Sequence, residues 1–584
     1  MRPVTRVVRA GATLALGLVL VFGVAAPPER CPTVTGAELR ASAQAAVDWF
    51  ARNQHADGSW LYDYNAETDR AKPEYNVVRH AGAVMGLYQG AAAGLPRALD
   101  SADRGTDWTL DRLTTRGDWT AVFLGGEIAT GATALFVAGL DIRREATGDR
   151  RYDPRMRRLG RFLVAQTEPS GAVLASYDSA RDRPVPGEYS KYYTGEAYWA
   201  LARLHLAFPR EGFGEVADRI GAYLATKRDD VEGHRWPIED HWAAYGLATT
   251  VRFPERGQPP LTGDERDYAR SQAELFGTET RWISQRLGPW GALVRGPHEP
   301  RGGGYGVMGE GLTGLWRAAL ADPGLADLRG PVAERATCMA GLAIDAQSDE
   351  KEAAREKNPS RVEGAWFRDG ETRMDDQQHA LAALLRTQAI VRAGGGSDDA
   401  DDETPAIWLW ALVLLLALNP VRAAFGIPRD TRGAGERSWD GGGALEFALL
   451  GGAAGAVLVV AASALAPPLL DALDVSDPSF RTAAGLVAMV AGIADLVRRP
   501  PGAQPAILLV ARPALLILAL GAGADRGVLP SIVAMAIGIG ALAVLAATPP
   551  DDAGARALRW TARLIGAALI AGGITLVIHG VFDV

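Results

Sequence analysis

Polar and apolar positions follow two different rhythms along this chain. Up to about residue 403 they are mixed, and beyond it long uncharged runs dominate. Before that point a single signature recurs: a polar first turn followed by a body of Ala, Gly and aliphatic residues. His80 opens "HAGAVMGLYQ", Glu127 "EIATGATALFVAGL" and Glu196 "EAYWALARLHLA". His241 opens "HWAAYGLATT", Glu310 "EGLTGLWRAAL" and His379 "HALAALLRTQAI". Successive markers stand just under fifty or just under seventy residues apart, which leaves room for a second helix between them. Amphipathic candidates fill those gaps, such as "LRASAQAAVDWFARNQ", "MRRLGRFLVAQ", "EVADRIGAYLATK" and "PVAERATCMAGLAIDAQ". A repeat of this length denotes an array of two-helix units. Helices apolar all round must be buried on every side. Six of them wrapped by six amphipathic partners predict a closed (α/α)6 toroid. Strand signals are sparse, so the fold class is all-α.

The corners between helices repeat as well. "WFARNQHADGSW" (49–60) and "RFLVAQTEPSGAV" (161–173) both give Phe, then Gln four residues on, then a Gly turn. "EGHRWP" (232–237) and "EGAWFRDG" (363–370) place Gly and Trp in equivalent corners. This pattern resembles the α/α toroids: terpene cyclase and prenyltransferase-like proteins, lanthionine cyclases, N-acylglucosamine 2-epimerases, and α/α-barrel glycoside hydrolases and lyases. The "ADGSW" corner is similar to the QW corner of terpene cyclases, in which Trp plugs a seam and Gly permits the turn. Two members of that group fit poorly. "RMDDQQ" lacks the DxDD acid of the cyclases, and Cys338 alone cannot supply the Cys/His zinc set of a lanthionine cyclase.

The last third reads as membrane-spanning. Six apolar stretches (407–425, 444–466, 480–497, 506–522, 528–547 and 564–581) approach the ~20 residues that cross a bilayer core. Basic loops after the first, third and fifth stretches orient them by the positive-inside rule. The N-terminus carries Arg2, Arg6 and Arg9 before an apolar run, the form of an export signal or uncleaved anchor, with its first residues cytoplasmic. Both features put residues 31–393 outside a bacterial cell membrane. An acidic, Gly-rich linker (394–405) joins the toroid to the membrane domain (406–584), after an N-terminal signal or anchor (1–30). "LALNPVRAAFGIP", "DPSFRTAAGLVAMVAGI" and "RLIGAALIAGGITLVIHGV" resemble the MarC family of six-span proteins. That resemblance implies small-solute transport. "ARP" at 511–513 departs from the family's "GPG". Asn419 and Arg512 stand beside helix-breaking prolines and mark a polar site within the spans.

Charge and cysteine content narrow the chemistry. A net charge of -8 with no dense Lys/Arg stripe gives no footprint for nucleic acid. Cys31 and Cys338 lack metal-ligand spacing and are read as inert thiols, a single bridge in an exported domain being the alternative. No cofactor fingerprint and no metal set is expected, and oligomeric state is not encoded. In a toroid the first turns of the inner helices share one rim. His80, Glu196, Asp240, His241, Glu310 and His379 are therefore candidate catalytic groups. Arg79, Glu127, Tyr193, Trp242, Tyr305, Trp366 and Asp375 are candidate binding groups. Carboxylates beside aromatic faces suit sugar rings, so the partners expected are a glycan or small molecule and the lipid bilayer. Glycan hydrolysis through Glu196 with Asp240 or Glu310 comes first. Histidine proton transfer, as in a sugar epimerase or lyase with Arg79 clamping a carboxylate, is the alternative. A non-catalytic toroid that binds a glycan or lipid for the membrane half is the third reading.

Overall fold

A computed structural model describes residues 29–234, 237–285 and 300–394. The expected N-terminal anchor, the six spans with Asn419 and Arg512, and Trp236 lie outside the described residues. Among those described, no helix is long and apolar enough to cross a membrane.

Twelve main helices follow one another among the described residues: α1 (Gly36–Arg52), α2 (Val77–Ala92), α3 (Ala98–Leu110), α4 (Thr130–Thr147), α5 (Asp153–Gln166) and α6 (Tyr193–Ala207). The second half holds α7 (Phe213–Thr226), α8 (His241–Thr250), α9 (Gly263–Ser284), α10 (Gly302–Ala321), α11 (Arg329–Asp345) and α12 (Met374–Arg392). The even-numbered helices form the inner ring. Each packs on the next, α2 on α4, α4 on α6, α6 on α8, α8 on α10 and α10 on α12, and α12 closes onto α2. The odd-numbered helices back that ring, α1 against α12, α3 against α2, and α11 against α10 and α12. Composition explains the division. α4 is buried without interruption from Thr130 to Arg143, whereas α1 buries a stripe of Leu39, Ala43, Ala46, Val47 and Phe50.

Outer-to-inner connections are long (53–76, 111–129, 167–192, 227–240 and 346–373), and most inner-to-outer ones are short (93–97, 148–152, 208–212 and 322–328). The long connections build the rim at which the inner helices begin. They contain strands that the sequence pattern did not predict. β1 (Asp63–Asn65), β2 (Arg70–Ala71) and β8 (Glu371–Arg373) form one sheet in the order β2-β1-β8. β3 (Leu113–Arg116), β4 (Trp119–Leu124), β5 (Glu127–Ala129), β6 (Ser176–Asp178) and β7 (Arg183–Pro184) form the other. The β1–β8 pairing joins the first and last repeats at the rim, with Tyr64 opposite Thr372. Glu127 is thereby corrected. It lies in β5 opposite Leu124, across a Gly125-Gly126 hairpin turn with both φ angles positive, and α4 starts only at Thr130.

The repeated corners act as staples. Gln54 donates to the Ser101 carbonyl at 3.0 Å and accepts from the Ser101 hydroxyl at 2.9 Å. Gln347 does the same with Ser42, at 3.1 and 2.7 Å, across the seam between the last repeat and the first. Each corner glycine sits in the left-handed region against a carbonyl of the next outer helix: Gly58 against Arg104, Gly171 against Arg219, Gly364 against Ala45. Only glycine has both the φ and the room. Trp60 and Trp366 are 1% exposed plugs behind two of these corners.

The two cysteines are bonded. Cys31 and Cys338 form a disulfide that ties the segment before α1 to α11, which corrects the reading of inert thiols. Such a bond suits the oxidising surroundings that export would provide.

Candidate functional site

The inner helices α8, α10 and α12 bring three titratable side chains together. Asp240 caps α8: its carboxylate accepts from the Ala243 amide at 2.9 Å and from Arg228 at 2.5 Å, and its own amide donates to Gln272 at 2.8 Å. That triple anchorage fixes His241 as the first residue of the helix. On α10 the glycines permit close approach, and a Cβ at Gly306 would overlap the His379 backbone. Glu310 therefore faces the first turns of α12. It lies in the third turn of α10, not the first, because the helix begins eight residues before it at Gly302.

Glu310 is fully buried, with both carboxylate oxygens engaged. Tyr245 donates its hydroxyl to Oε1 at 2.7 Å, and His379 Nδ1 lies 2.5 Å from Oε2. A carboxylate accepts only, so Nδ1 carries the proton and Nε2 is the ring nitrogen left for a ligand. His241 Nε2 stands 4.0 Å from the same Oε2, and the two imidazoles meet edge to face at 5.1 Å. Among the described residues neither ring nitrogen of His241 has a hydrogen-bond partner, although the residue is only 2% exposed. A buried polar group left unsatisfied calls for a specific reason, and a bound ligand is one.

The two histidines are pushed in opposite directions. Burial holds His241 well below the ordinary imidazole value, aided by the positive charges of His379, Lys191 and Arg386. Burial would lower His379 too, but the charge of Glu310 and the hydrogen bond to it more than offset this, and the net shift is upward. The two shifts favour His241 as the free base and His379 as the acid of the pair. The same three residues are also a candidate cation site, since one donor atom from each lies within 4.8 Å of the others. A cation there would have to displace the His379–Glu310 hydrogen bond.

Glu196 sits one helix further round, on α6. Burial and the neighbouring Asp240 push its carboxyl up to about 8, and among the described residues Oε2 has no partner. Asp240 is not a free second carboxylate, since Arg228 and the α8 backbone hold it. Aromatic faces flank the cluster. The Trp242 ring lies 4.3 Å from that of His241 and 5.8 Å from that of His379. Tyr192, 41% exposed, stands edge-on to His241 at 6.4 Å. Tyr193 and Glu127 are at the same rim, near enough for Glu127 to raise the tyrosine's pKa, though burial of the ring dominates that shift.

Other predicted groups serve the wall. His80 accepts from the Tyr75 hydroxyl at 2.7 Å and donates to the Gly105 carbonyl at 2.9 Å, between Trp60 and Trp108. Burial takes it down to about 3. Trp366 donates to the Ala343 carbonyl at 2.6 Å and is a seam plug instead of a binding face. Tyr305 is buried within α10. Arg79 pairs with Asp375 at 3.1 Å across the α2–α12 rim and also bonds Tyr62. Asp376, not Asp375, caps α12, accepting from the Arg373 amide and from Arg301 at 3.0 Å each. Sequence reasoning missed Tyr245, which was signalled by its place one turn after His241, on the same helix face.

No family model matches the chain, and no curated protein matches it. Among solved structures, it is similar to a cellobiose 2-epimerase from Spirochaeta thermophila DSM 6192, at 12% identity over 66% of this chain and 98% of that one, TM-score 0.41. It is also similar to an α-1,6-mannanase, GH76A, from Salegentibacter sp. HEL1_6, at 12% identity over 61% and 100%, TM-score 0.43. A D-mannose isomerase is similar at 11% identity over 60% and 96%, TM-score 0.42.

Proposed function

We propose that the toroid is an acid–base enzyme that moves a proton at a carbon next to a sugar carbonyl, the step shared by sugar epimerases and lyases. The observation that carries this reading is a pair of adjacent histidines with oppositely shifted pKa values, one of them with both nitrogens free. Environments that drive two titratable groups apart assign the acid and the base. His241 takes the proton from carbon, and the C–H electron pair moves into the adjacent C–C bond as the carbonyl π pair moves onto oxygen. His379 gives its Nε2 proton to that oxygen. Glu310 keeps the resulting imidazole oriented, and Tyr245 holds Glu310. Return of the proton from His241 to the opposite face of that carbon, once the enediol has turned over, with the enol proton going back to His379, completes an epimerisation, and loss of a β-substituent completes an elimination. Trp242 and Tyr192 offer faces for the apolar side of a sugar ring.

The test is proton NMR of reducing sugars and hexuronates in deuterium oxide with the full-length chain. Deuterium should be incorporated at the carbon next to the carbonyl, and His241→Asn or His379→Asn should abolish incorporation. The pH profile is specific. Activity needs His241 unprotonated and His379 protonated, so it falls on the acid side below the usual histidine value and on the alkaline side above it. His379→Asn should remove the alkaline limb from any residual rate. Hydrolysis of glycosides without deuterium incorporation would replace this reading with the second one.

That second reading is glycan hydrolysis. One observation favours it: Glu196, pushed up to about 8, is protonated at neutral pH as a general acid must be. It lacks a free partner carboxylate, because Asp240 is bound to Arg228.

A further inference from the structure

Five of the arginines drawn into the fold are paired with carboxylates. Arg143 meets Asp103 at 2.8 Å, Arg203 meets Asp141 at 2.8 Å, and Arg228 meets Asp240 at 2.5 Å. Arg256 meets Glu265 and Arg301 meets Asp376, each at 3.0 Å. This is what desolvation of a guanidinium demands. Arg386, half-buried, and Arg317, exposed beside it, are not paired in this way. Among the described residues neither has a carboxylate within ion-pair distance, and Glu310 is a more remote influence on Arg386. Their positions are not arbitrary. Arg317 follows Glu310 by seven residues on α10, and Arg386 follows His379 by seven on α12. Seven residues are two turns, so each arginine lies on the same helix face as its acid–base residue, roughly 10 Å further along. The Arg386 guanidinium lies 3.4 Å over the Tyr245 ring, whose hydroxyl holds Glu310. The two tiers are thus in contact through one tyrosine. Arg317 is exposed and Arg386 half-buried, so solvent reaches the lower tier. The two cations also crowd each other: the charge of Arg386 is the main cause that takes Arg317 down to about 10.

The geometry points to Arg317 and Arg386 as an oxyanion subsite, which seats the carboxylate or phosphate of a sugar whose other end reaches His241 and His379. This rests on the acid–base reading for the upper tier and adds a substrate class, an acidic saccharide about two rings long. Two guanidiniums that lack a protein carboxylate supply the planar donor forks that such a group accepts.

The test is calorimetric binding to the full-length chain, with glucuronate-terminated disaccharide, the matching neutral disaccharide and inorganic phosphate as probes. The acidic disaccharide should bind at least about tenfold tighter than the neutral one, the usual weight of a charge-assisted contact. Arg317→Gln, a change at an exposed side chain, should erase that preference and leave the neutral sugar's affinity as it was. Equal binding of acidic and neutral sugars overturns the proposal, as does a preference that survives in Arg317→Gln. Phosphate binding as tightly as the acidic disaccharide, through the same arginine, would reduce the site to a free-anion site and overturn the substrate assignment. Binding is read without turnover. A chain that prefers acidic sugars but never exchanges deuterium therefore upholds the subsite and sinks only the acid–base reading.

Discussion

His80 and His241 come from the same kind of sequence, a histidine in the opening turn of an inner helix, and both are buried and held neutral. They differ in where their ring nitrogens go. His80 has a hydroxyl on one side and a carbonyl on the other, stacked between two tryptophans. Among the described residues His241 has nothing within hydrogen-bond distance of either nitrogen, and a second imidazole lies beside it. Burial and residue type therefore say little about function at this rim. The fate of each donor and acceptor separates wall from site, because a folded interior tolerates an unsatisfied group only where something compensates.

The sharpest way to break that contrast is the same substitution at both positions. His241→Leu should cut turnover by about 10²–10⁴-fold, the scale of one general base. It should leave stability unchanged or higher, since an unsatisfied buried group is replaced by an apolar one. His80→Leu removes the acceptor of the Tyr75 hydroxyl proton and one of the donors to the Gly105 carbonyl, which keeps the Thr109 hydroxyl, and should cost about 1–3 kcal/mol in denaturant unfolding. Its turnover per folded molecule should hold. Equal destabilisation at the two positions would remove the distinction.

A smaller effect lies in pH dependence, where His80 and Glu196 have opposite signs. His80 is lowered to about 3 in the folded chain, below the unfolded value of 6.5, so its contribution is complete above 6.5 and is lost as pH falls toward 3. Glu196 is raised to about 8, above the unfolded 4.5, so the folded state is favoured fully below 4.5 and loses that advantage as pH rises toward 8. Glu196→Gln should accordingly match the parent in melting temperature near pH 4 and exceed it by several degrees near pH 8. A difference that stays flat across this window would mean that Glu196 is not buried as an acid.

Much of the ring was legible because its causes are local. Six all-apolar helix bodies can be counted, and the Gln…Gly corners recur. What was not legible depends on contacts between repeats. Asp240 looked like a free carboxylate until Arg228 was seen against it, and Trp366 looked like a binding face until its indole met the Ala343 carbonyl. Glu127 was misplaced because a two-glycine turn followed by Glu-Ile-Ala reads as a helix start when the facing strand is unknown. Glu310 was placed too early because "GGGYG" reads as a breaker, whereas those glycines let α12 press against α10. The pairing of Cys31 with Cys338 spans 307 residues and follows only from the packing of the N-terminal segment on α11.

The smallest expected effect tests the satisfied class at its weakest member, the seam that closes the ring. Ser42 and Gln347 exchange two neutral hydrogen bonds across that seam, as Ser101 and Gln54 do within the first repeat pair. If closure is physically the same as any other corner, a double-mutant cycle on Ser42→Ala and Gln347→Ala should give a coupling of about 1 kcal/mol, similar to that for Ser101→Ala and Gln54→Ala. The cross pair Ser42→Ala with Gln54→Ala shares no hydrogen bond and should add within about 0.5 kcal/mol. A seam coupling near zero beside a normal one at Ser101–Gln54 would mean that the β1–β8 pairing and the disulfide close the ring without the corner. The repeat logic that places α12, and with it His379, would then rest on those two connections alone.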